Sequence, residues 1–92
     1  MIISVRIAML RSHELLLKFR HDARFAFPKV RIWYADRGAP SDCSCAGGAD
    51  IRDLEAYYFE VTTATGVKSI PYHRIRLIRY GGIPVWRRGQ AG

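Results

Sequence analysis

Two short polar segments, far apart in the chain, carry side chains that can bind a phosphate group. The first is Asp36-Arg37, which ends a strand-like run, and the second is Tyr72-His73-Arg74, which follows a proline. An arginine binds phosphate through two parallel hydrogen bonds, and a histidine or tyrosine can donate another. Side chains that leave a sheet at the end of a strand often form sites. Both segments are therefore candidates for a binding site.

The same residues also have purely structural interpretations. His73 could be a turn residue bonded to backbone with Arg74 as a surface charge, and Asp36 could pair locally with Arg37. Asp50, which follows two glycines and an alanine, is typical of a residue that caps a turn. The residue pattern alone leaves the binding and structural interpretations open.

Known catalytic and metal-binding patterns are missing from the sequence. It contains no nucleophile elbow, phosphate-binding loop, dinucleotide fingerprint or metal-spaced cluster. Cys43 and Cys45 stand one residue apart, a spacing that strains a disulfide and cannot build a zinc site alone. We predict two reduced thiols in a cytoplasmic protein without a metal or other cofactor.

The charge balance indicates a polyanionic partner. The 92 residues include 15 Lys and Arg against 8 Asp and Glu, which gives a net charge of +7. Counterion release rewards each cation placed on a phosphate, so the partner predicted first is nucleic acid. The longest apolar run is too short to span a bilayer, so no membrane association is expected.

Hydrophobic periodicity predicts the elements of the first half. Ser12 is suited to cap a short helix over residues 13–20, followed by a turn whose Phe25 and Phe27 anchor it to the core. Alternation over 29–36 predicts a strand with Val30, Ile32 and Tyr34 on one face. Residues 37–50 are rich in Gly, Ser, Pro and Asp and are predicted to form a loop, and 51–56 either a helical turn or part of a strand.

The second half is predicted to consist of two hairpins. Residues 57–63 and 67–70 form the first, and the ladder then breaks at Pro71, which has no N–H, as a tight 3₁₀ turn. A strand resumes at 74–80 and continues through two glycines into a last edge strand. Ile75 and Leu77 would be buried on one face, and because the alternation slips after them a bulge is expected.

These elements define one α+β domain over residues 1–92. We predict a short N-terminal helix packed on a curved, mostly antiparallel sheet of about five strands, with a partly open small barrel as one form of it. Residues 1–11 are interpreted as an extension outside the core, with Met9 a candidate natural start, and 87–92 as a frayed tail.

Four sequence blocks resemble those of a known family. They are "KVRIWYADRGAPSD", "GGADI", "YYFEV" and "IPYHRIRLIRYGGIPVW", in this order. They are similar to the blocks of the archaeal RNA cyclic-group end recognition domain family, and the resemblance covers about residues 12–86. The segment Phe19–Asp22 departs from the family pattern because it lacks the tryptophan that usually precedes the aspartate.

The resemblance implies an RNA-binding module that recognises processed 3′ ends, with a 2′,3′-cyclic phosphate as the ligand. It implies a role in RNA repair or processing beside RNA end-processing enzymes. The residues it assigns to the ligand are Asp36, Arg37, Asp50, Tyr72, His73 and Arg74. Trp33 or Tyr72 would stack on the terminal base.

Two other functions stay open at this point. In the first, the chain is an RNA-end phosphoesterase with His73 as general acid or base. Cleavage of this kind usually needs two such groups, and His13 and His21 lie outside the strongest blocks, so we expect no catalysis. In the second, the chain is a basic RNA-binding domain without end preference.

Overall fold

The structure is a computed structural model that describes residues 11–89. The predictions for residues 1–10, including the start at Met9, and for 90–92 lie outside the described residues. Within the described range, one α-helix and seven strands follow one another. Their bounds are α1 Ser12–His21, β1 Val30–Ala35, β2 Cys43–Gly47, β3 Ile51–Leu54, β4 Tyr58–Thr63, β5 Gly66–Pro71, β6 Ile75–Tyr80 and β7 Ile83–Arg87.

The strands form two antiparallel sheets. The first has the order β2-β1-β6-β7 and the second the order β3-β4-β5. The predicted α+β class is confirmed. The described part has seven strands in two sheets instead of about five in one, and these sheets do not close into a barrel. No helix among residues 11–89 is long and apolar enough to cross a membrane.

The core combines side chains of the helix and both sheets. Leu15, Leu16 and Phe19 of α1 are fully buried, because they recur at the spacing of one helix face. The predicted inward face of β1 is confirmed, and Phe25 and Phe27 pack against the core as expected. The core residues are Leu15, Leu16, Phe19, Val30, Ile32, Tyr34, Ala46, Ile51, Phe59, Val61, Ile70, Tyr72, Ile75, Ile78 and Val85.

The helix begins one residue earlier than predicted. Ser12 is its first residue and is buried, so it does not act as the cap. Arg11 takes the cap position, and its backbone N–H donates to Glu14 Oε1 at 3.0 Å. The acidic residue of the first turn therefore satisfies a backbone donor at the helix start.

The prediction of a loop throughout 37–50 is wrong. Cys43–Gly47 forms β2, which pairs with β1 so that Cys45 lies opposite Trp33. Local composition hides this strand because the backbone of β1, rather than β-branched side chains, provides its pairing. A 3₁₀ turn follows at Gly48–Asp50, where a Cβ on Gly48 would overlap the carbonyl group of Phe27.

The break at Pro71 and the bulge in β6 are confirmed. A 3₁₀ turn spans Tyr72–Arg74, and Arg76 is the extra residue between two register pairs with β1. The bulge changes which side chains are buried: Ile78 is buried beside Ile75, whereas Leu77 is only half-buried, contrary to expectation. The slip in alternation is the sequence signal of this bulge.

The last hairpin also matches its prediction, with one difference at its end. Gly81 and Gly82 have φ angles of 57° and 85°, the left-handed values that a two-residue turn between strands requires. β7 continues through Arg87, so the segment predicted as a frayed tail begins inside a strand.

Candidate functional site

Strand register places the two predicted phosphate-binding segments at one end of the four-stranded sheet. Tyr34 of β1 lies opposite Ile75 of β6. Because the two strands are antiparallel, Asp36 leaves β1 where Arg74 enters β6. The positive charge of Arg74 is close enough to contribute to lowering the pKa of Asp36. Segments nearly forty positions apart in the sequence therefore share one edge.

Asp36 connects the two sheets through its carboxylate. Its Oδ2 accepts from Ser44 Oγ at 2.6 Å, and its Oδ1 accepts from Lys68 Nζ on β5 at 2.8 Å. The hydrogen bonds from Lys68 and Ser44 are the main reasons why the pKa of Asp36 is below its ordinary value. The carboxylate is thus ionised at neutral pH, and a hydrogen bond to each of its oxygens fixes its orientation.

A polar cleft of about 360 Å³ opens beside this ion pair, between the two sheets. Its volume lies within the range of small-molecule sites. Hydroxyl groups dominate the lining, which suits the sugar and base edges of a nucleoside better than a bare anion. The lining residues are Tyr34, Asp36, Ser44, Cys45, Ala46, Asp50, Val61, Thr62, Thr63, Thr65 and Lys68.

The predicted site residues divide into three groups by position. Asp36 and Asp50 line the cleft. Arg37, His73 and Arg74 are exposed and stand outside this lining, next to Asp36 through the chain or the strand register. The third group, Tyr72 and Trp33, is set apart from the cleft. The role of all seven in ligand binding stays a prediction.

Tyr72 lies in the core. Only 9% of it is exposed, and its hydroxyl donates to the Glu55 carbonyl at 2.7 Å. The ring stacks on the ring of His13 at 4.2 Å, and burial raises the pKa of Tyr72 to about 12. A ligand contact by Tyr72 stays a prediction. In the present conformation, its visible role is to anchor the turn that carries His73 and Arg74.

Tyr57 is an exposed aromatic residue beside that turn. Its side chain is 84% exposed, and its carbonyl accepts from the backbone N–H of Tyr72 at 3.3 Å. Sequence reasoning did not select it, because the run "YYFEV" is typical of an ordinary strand. Its ring is exposed next to the 72–74 turn and stands outside the lining of the cleft.

Trp33 lies on the other side of β1 from the cleft. Tyr34 and Asp36 point between the sheets, and Trp33 alternates to the outer face, where the Arg79 guanidinium covers its ring at 5.2 Å. The β1 backbone therefore separates Trp33 from a ligand in the cleft. The predicted stacking role of Trp33 would require a base on the outer face.

Arg88 is a second residue that the sequence did not reveal. Its Nε donates to the Ile75 carbonyl at 2.7 Å and its Nη2 to the Tyr72 carbonyl at 3.0 Å. The guanidinium also lies over the ring of Trp86 at 5.2 Å. Arg88 thereby ties the last strand to both ends of the turn that presents His73 and Arg74.

Metal-binding geometry is not a feature of this region. Among residues 11–89, no three His, Cys, Asp or Glu side chains are grouped so that they could hold an ion. Cys43 and Cys45 are both free thiols, the first half-buried and the second exposed.

Comparison with known proteins assigns the chain to a family. The model of the MJ1316 RNA cyclic group end recognition domain matches residues 9–88. The chain belongs to this family. A UPF0248 protein of Archaeoglobus fulgidus is 42% identical over 71 residues, which span 77% of this chain and 96% of that relative. No solved structure gives a significant match. The resemblance of the four sequence blocks to the cyclic-group end recognition family is thus confirmed.

Proposed function

We propose that the chain is a non-catalytic module that binds RNA 3′ ends and prefers a 2′,3′-cyclic phosphate terminus. The family description supports recognition of an RNA cyclic end. The observation that carries the proposal is the register of Tyr34 with Ile75, which brings Arg37, His73 and Arg74 to one edge of a nucleoside-sized cleft.

In this proposal, the exposed arginines bind the cyclic phosphate. A cyclic phosphodiester is a compact monoanion, which one bidentate guanidinium and one further donor can satisfy. Arg74 and Arg37 are the candidates for the guanidinium, and His73 is the candidate for the further donor. Two carboxylates, Asp36 and Asp50, line the cleft, and its one lining cation among residues 11–89, Lys68, is already paired with Asp36 at 2.8 Å, so the lining disfavours a phosphate inside the cleft. We therefore place the phosphate at the edge of the cleft.

The terminal nucleoside would occupy the cleft itself. Thr63 and Ser44 lie in the lining. Their hydroxyl groups donate to the Gly66 carbonyl and to Asp36, so they would accept a hydrogen bond from a ribose hydroxyl or a base N–H. Tyr57 stands outside this lining, beside the 72–74 turn, and would stack on the unpaired base of a neighbouring nucleotide, since single-stranded RNA is usually recognised through stacking on aromatic rings. This arrangement separates the phosphate contact from the base contact.

The biological setting follows from the ligand. Cyclic phosphate ends arise when RNA is cut through attack by its own 2′-hydroxyl, so a protein that binds them fits RNA repair or processing. We place this activity in the cytoplasm, beside enzymes that modify or join RNA ends.

Titration of short RNAs by fluorescence anisotropy tests the proposal. The RNAs share one sequence and end in 3′-OH, 3′-phosphate or 2′,3′-cyclic phosphate, and each is measured at two salt concentrations. We expect tighter binding of the cyclic end that persists at the higher salt. Arg74→Ala and Arg37→Ala should abolish the preference, whereas Arg52→Ala on β3 removes an equal charge and should keep it.

Two results would contradict the proposal. Equal affinity for all three ends, falling steeply with salt, would indicate a basic surface without end recognition. Consumption of the cyclic end by the wild-type chain, lost in His73→Ala, would identify a phosphoesterase instead.

A further inference from the structure

We infer that the outward surface of the four-stranded sheet is a second RNA-binding site, which takes the single-stranded body of an RNA rather than its end. This outer face consists of Arg31, Trp33, Leu77, Arg79 and Arg87. The inference does not depend on the proposed end recognition, because the β1 backbone separates the outer face from the cleft.

Strand register assembles the outer face from three strands. Arg31 lies opposite Arg79, and Trp33 lies opposite Leu77, which in turn lies opposite Arg87. Since side chains alternate along a strand, these residues point away from the core that their neighbours fill. All five are exposed or half-buried, so no described element covers them.

The outer face carries a surplus of positive charge. The hydrogen bond to Cys45 and, as a smaller cause, the charge of Asp50 raise the pKa of Arg31, so one carboxylate acts at the edge of the face. Three of its five side chains are arginines, and the positions registered beside them on the flanking strands are Gly47, Cys45 and Pro84. Within residues 11–89, this set of registered positions therefore contains no carboxylate. A surface of this charge complements the phosphates of a nucleic acid.

Arg79 and Trp33 form a cation–π pair at the centre of the face. The guanidinium carbon of Arg79 lies over the Trp33 ring, 5.2 Å from its centre. Arg79 Nε is buried and has no hydrogen-bond partner in the described part of the chain. Arginine guanidinium planes and tryptophan rings are both side chains on which unpaired bases stack.

Single-stranded RNA fits these features better than another protein does. Tryptophan and arginine are enriched in protein interfaces as well, so it is the charge that decides between the two partners. Three arginines beside Trp33 and Leu77 favour a polyanion. An open four-stranded sheet with aromatic and basic side chains is the surface on which common RNA-binding modules stack two or three bases. A positive groove with a stacking ring binds RNA without regard to sequence.

A circular single-stranded oligouridylate, which has no end, tests the inference in an anisotropy titration. Trp33→Leu keeps an apolar side chain but removes the ring, and should weaken binding about 5- to 100-fold. Trp33→Phe keeps a ring and should bind close to wild type. Far-ultraviolet circular dichroism and thermal unfolding verify that both variants remain folded.

The salt dependence separates stacking from charge. Arg31→Ala and Arg87→Ala should each reduce the slope of log affinity against log salt by about 0.7, the value for one phosphate contact on a single strand. Trp33→Leu should lower the affinity without changing this slope. Arg52→Ala removes an equal charge from the other sheet and should leave the slope within error of wild type.

Three outcomes would overturn the inference. The first is no binding of the circular RNA by the wild-type chain. The second is equal binding by Trp33→Leu and Trp33→Phe, or an equal slope change in Arg52→Ala. The third is a change of oligomeric state in Trp33→Leu with unchanged RNA affinity, which would identify the face as a protein interface. Loss of end preference with circular-RNA binding intact would contradict only the proposed function.

Discussion

Arg88→Ala is predicted to destabilise the domain and to disturb the turn that carries His73 and Arg74. The substitution removes two hydrogen bonds from a guanidinium to backbone carbonyls, at 2.7 and 3.0 Å, and one stacking contact with Trp86. Hydrogen bonds with a charged partner contribute about 1.5–3 kcal/mol each, and an exposed cation–π contact about 0.5–1 kcal/mol.

The lower ends of these ranges sum to about 3.5 kcal/mol, and because Arg88 is exposed, water competes for its contacts and brings the expected loss below this sum. We expect a loss of about 2–3 kcal/mol in the free energy of unfolding, which corresponds to a fall of about 10–20 °C in Tm for a domain of this size. Thermal unfolding followed by circular dichroism measures this change. Because the two carbonyls belong to Tyr72 and Ile75, the preference for a cyclic RNA end should decline in parallel.

Arg87→Ala is the matched control for this experiment. Arg87 carries the same charge one position earlier, at the end of β7 on the outer face, and no hydrogen bond of its side chain to residues 11–89 is found. We expect its Tm to stay within a few degrees of wild type. Arg88→Lys keeps the charge but not the planar fork, and should resemble Arg88→Ala in stability. Equal Tm values for Arg87→Ala and Arg88→Ala would refute the assigned role of Arg88.

Three further predictions test the frame of the site. Gly48→Ala should lower the free energy of unfolding by about 3 kcal/mol or more, because the new Cβ would overlap the backbone carbonyl of Phe27. A urea titration measures this loss. Gly47→Ala makes only ordinary contacts and should be tolerated in the same titration. Asp36→Asn should lose the stability that the Lys68 ion pair adds above the unfolded aspartate pKa. This stability disappears as pH falls through the lowered folded pKa, so the unfolding titrations of variant and wild type should converge below that pKa. Tyr72→Phe removes the hydrogen bond to the Glu55 carbonyl and should lower the free energy of unfolding by about 0.5–1.5 kcal/mol, measured by thermal unfolding. In an ultraviolet titration of this variant, the tyrosine with a pKa of about 12 should be missing.

Elements with a strong local signal were predictable from the sequence. The alternation of Val30, Ile32 and Tyr34 predicts the inward face of β1, and the missing N–H of Pro71 predicts the turn after β5. β2 was missed because its pairing depends on the backbone of β1, and its own small residues lack strand propensity. A local sequence pattern thus identifies a strand only when the strand's own side chains favour that conformation. It misses a strand that forms because a neighbouring strand pairs with it.

The sequence pattern selected residues in the cleft, Asp36 and Asp50, as well as exposed residues beside it, and it missed contacts that form across the fold. Arg37, His73 and Arg74 were selected because arginine and histidine next to a strand end are recognisable as phosphate-binding residue types. Lys68 was missed because its partner, Asp36, lies on the other sheet, 32 positions away. Arg88 was interpreted as part of a frayed tail because its hydrogen-bond acceptors are backbone carbonyls. Every residue has a backbone carbonyl, so the sequence does not show which ones Arg88 contacts.

The two proposed RNA contacts contribute differently to binding, one to affinity and the other to selectivity, and both adjoin β1. Asp36 ends the strand beside the cleft, while Trp33 projects from its opposite face. A single monoanion bound by exposed arginines supplies little affinity, because water and salt compete for each charge. An RNA held by its body on the outer face would keep its end near the cleft at a high effective concentration, so that a weak end contact becomes sufficient. Affinity would then come from the outer face and selectivity from the edge of the cleft.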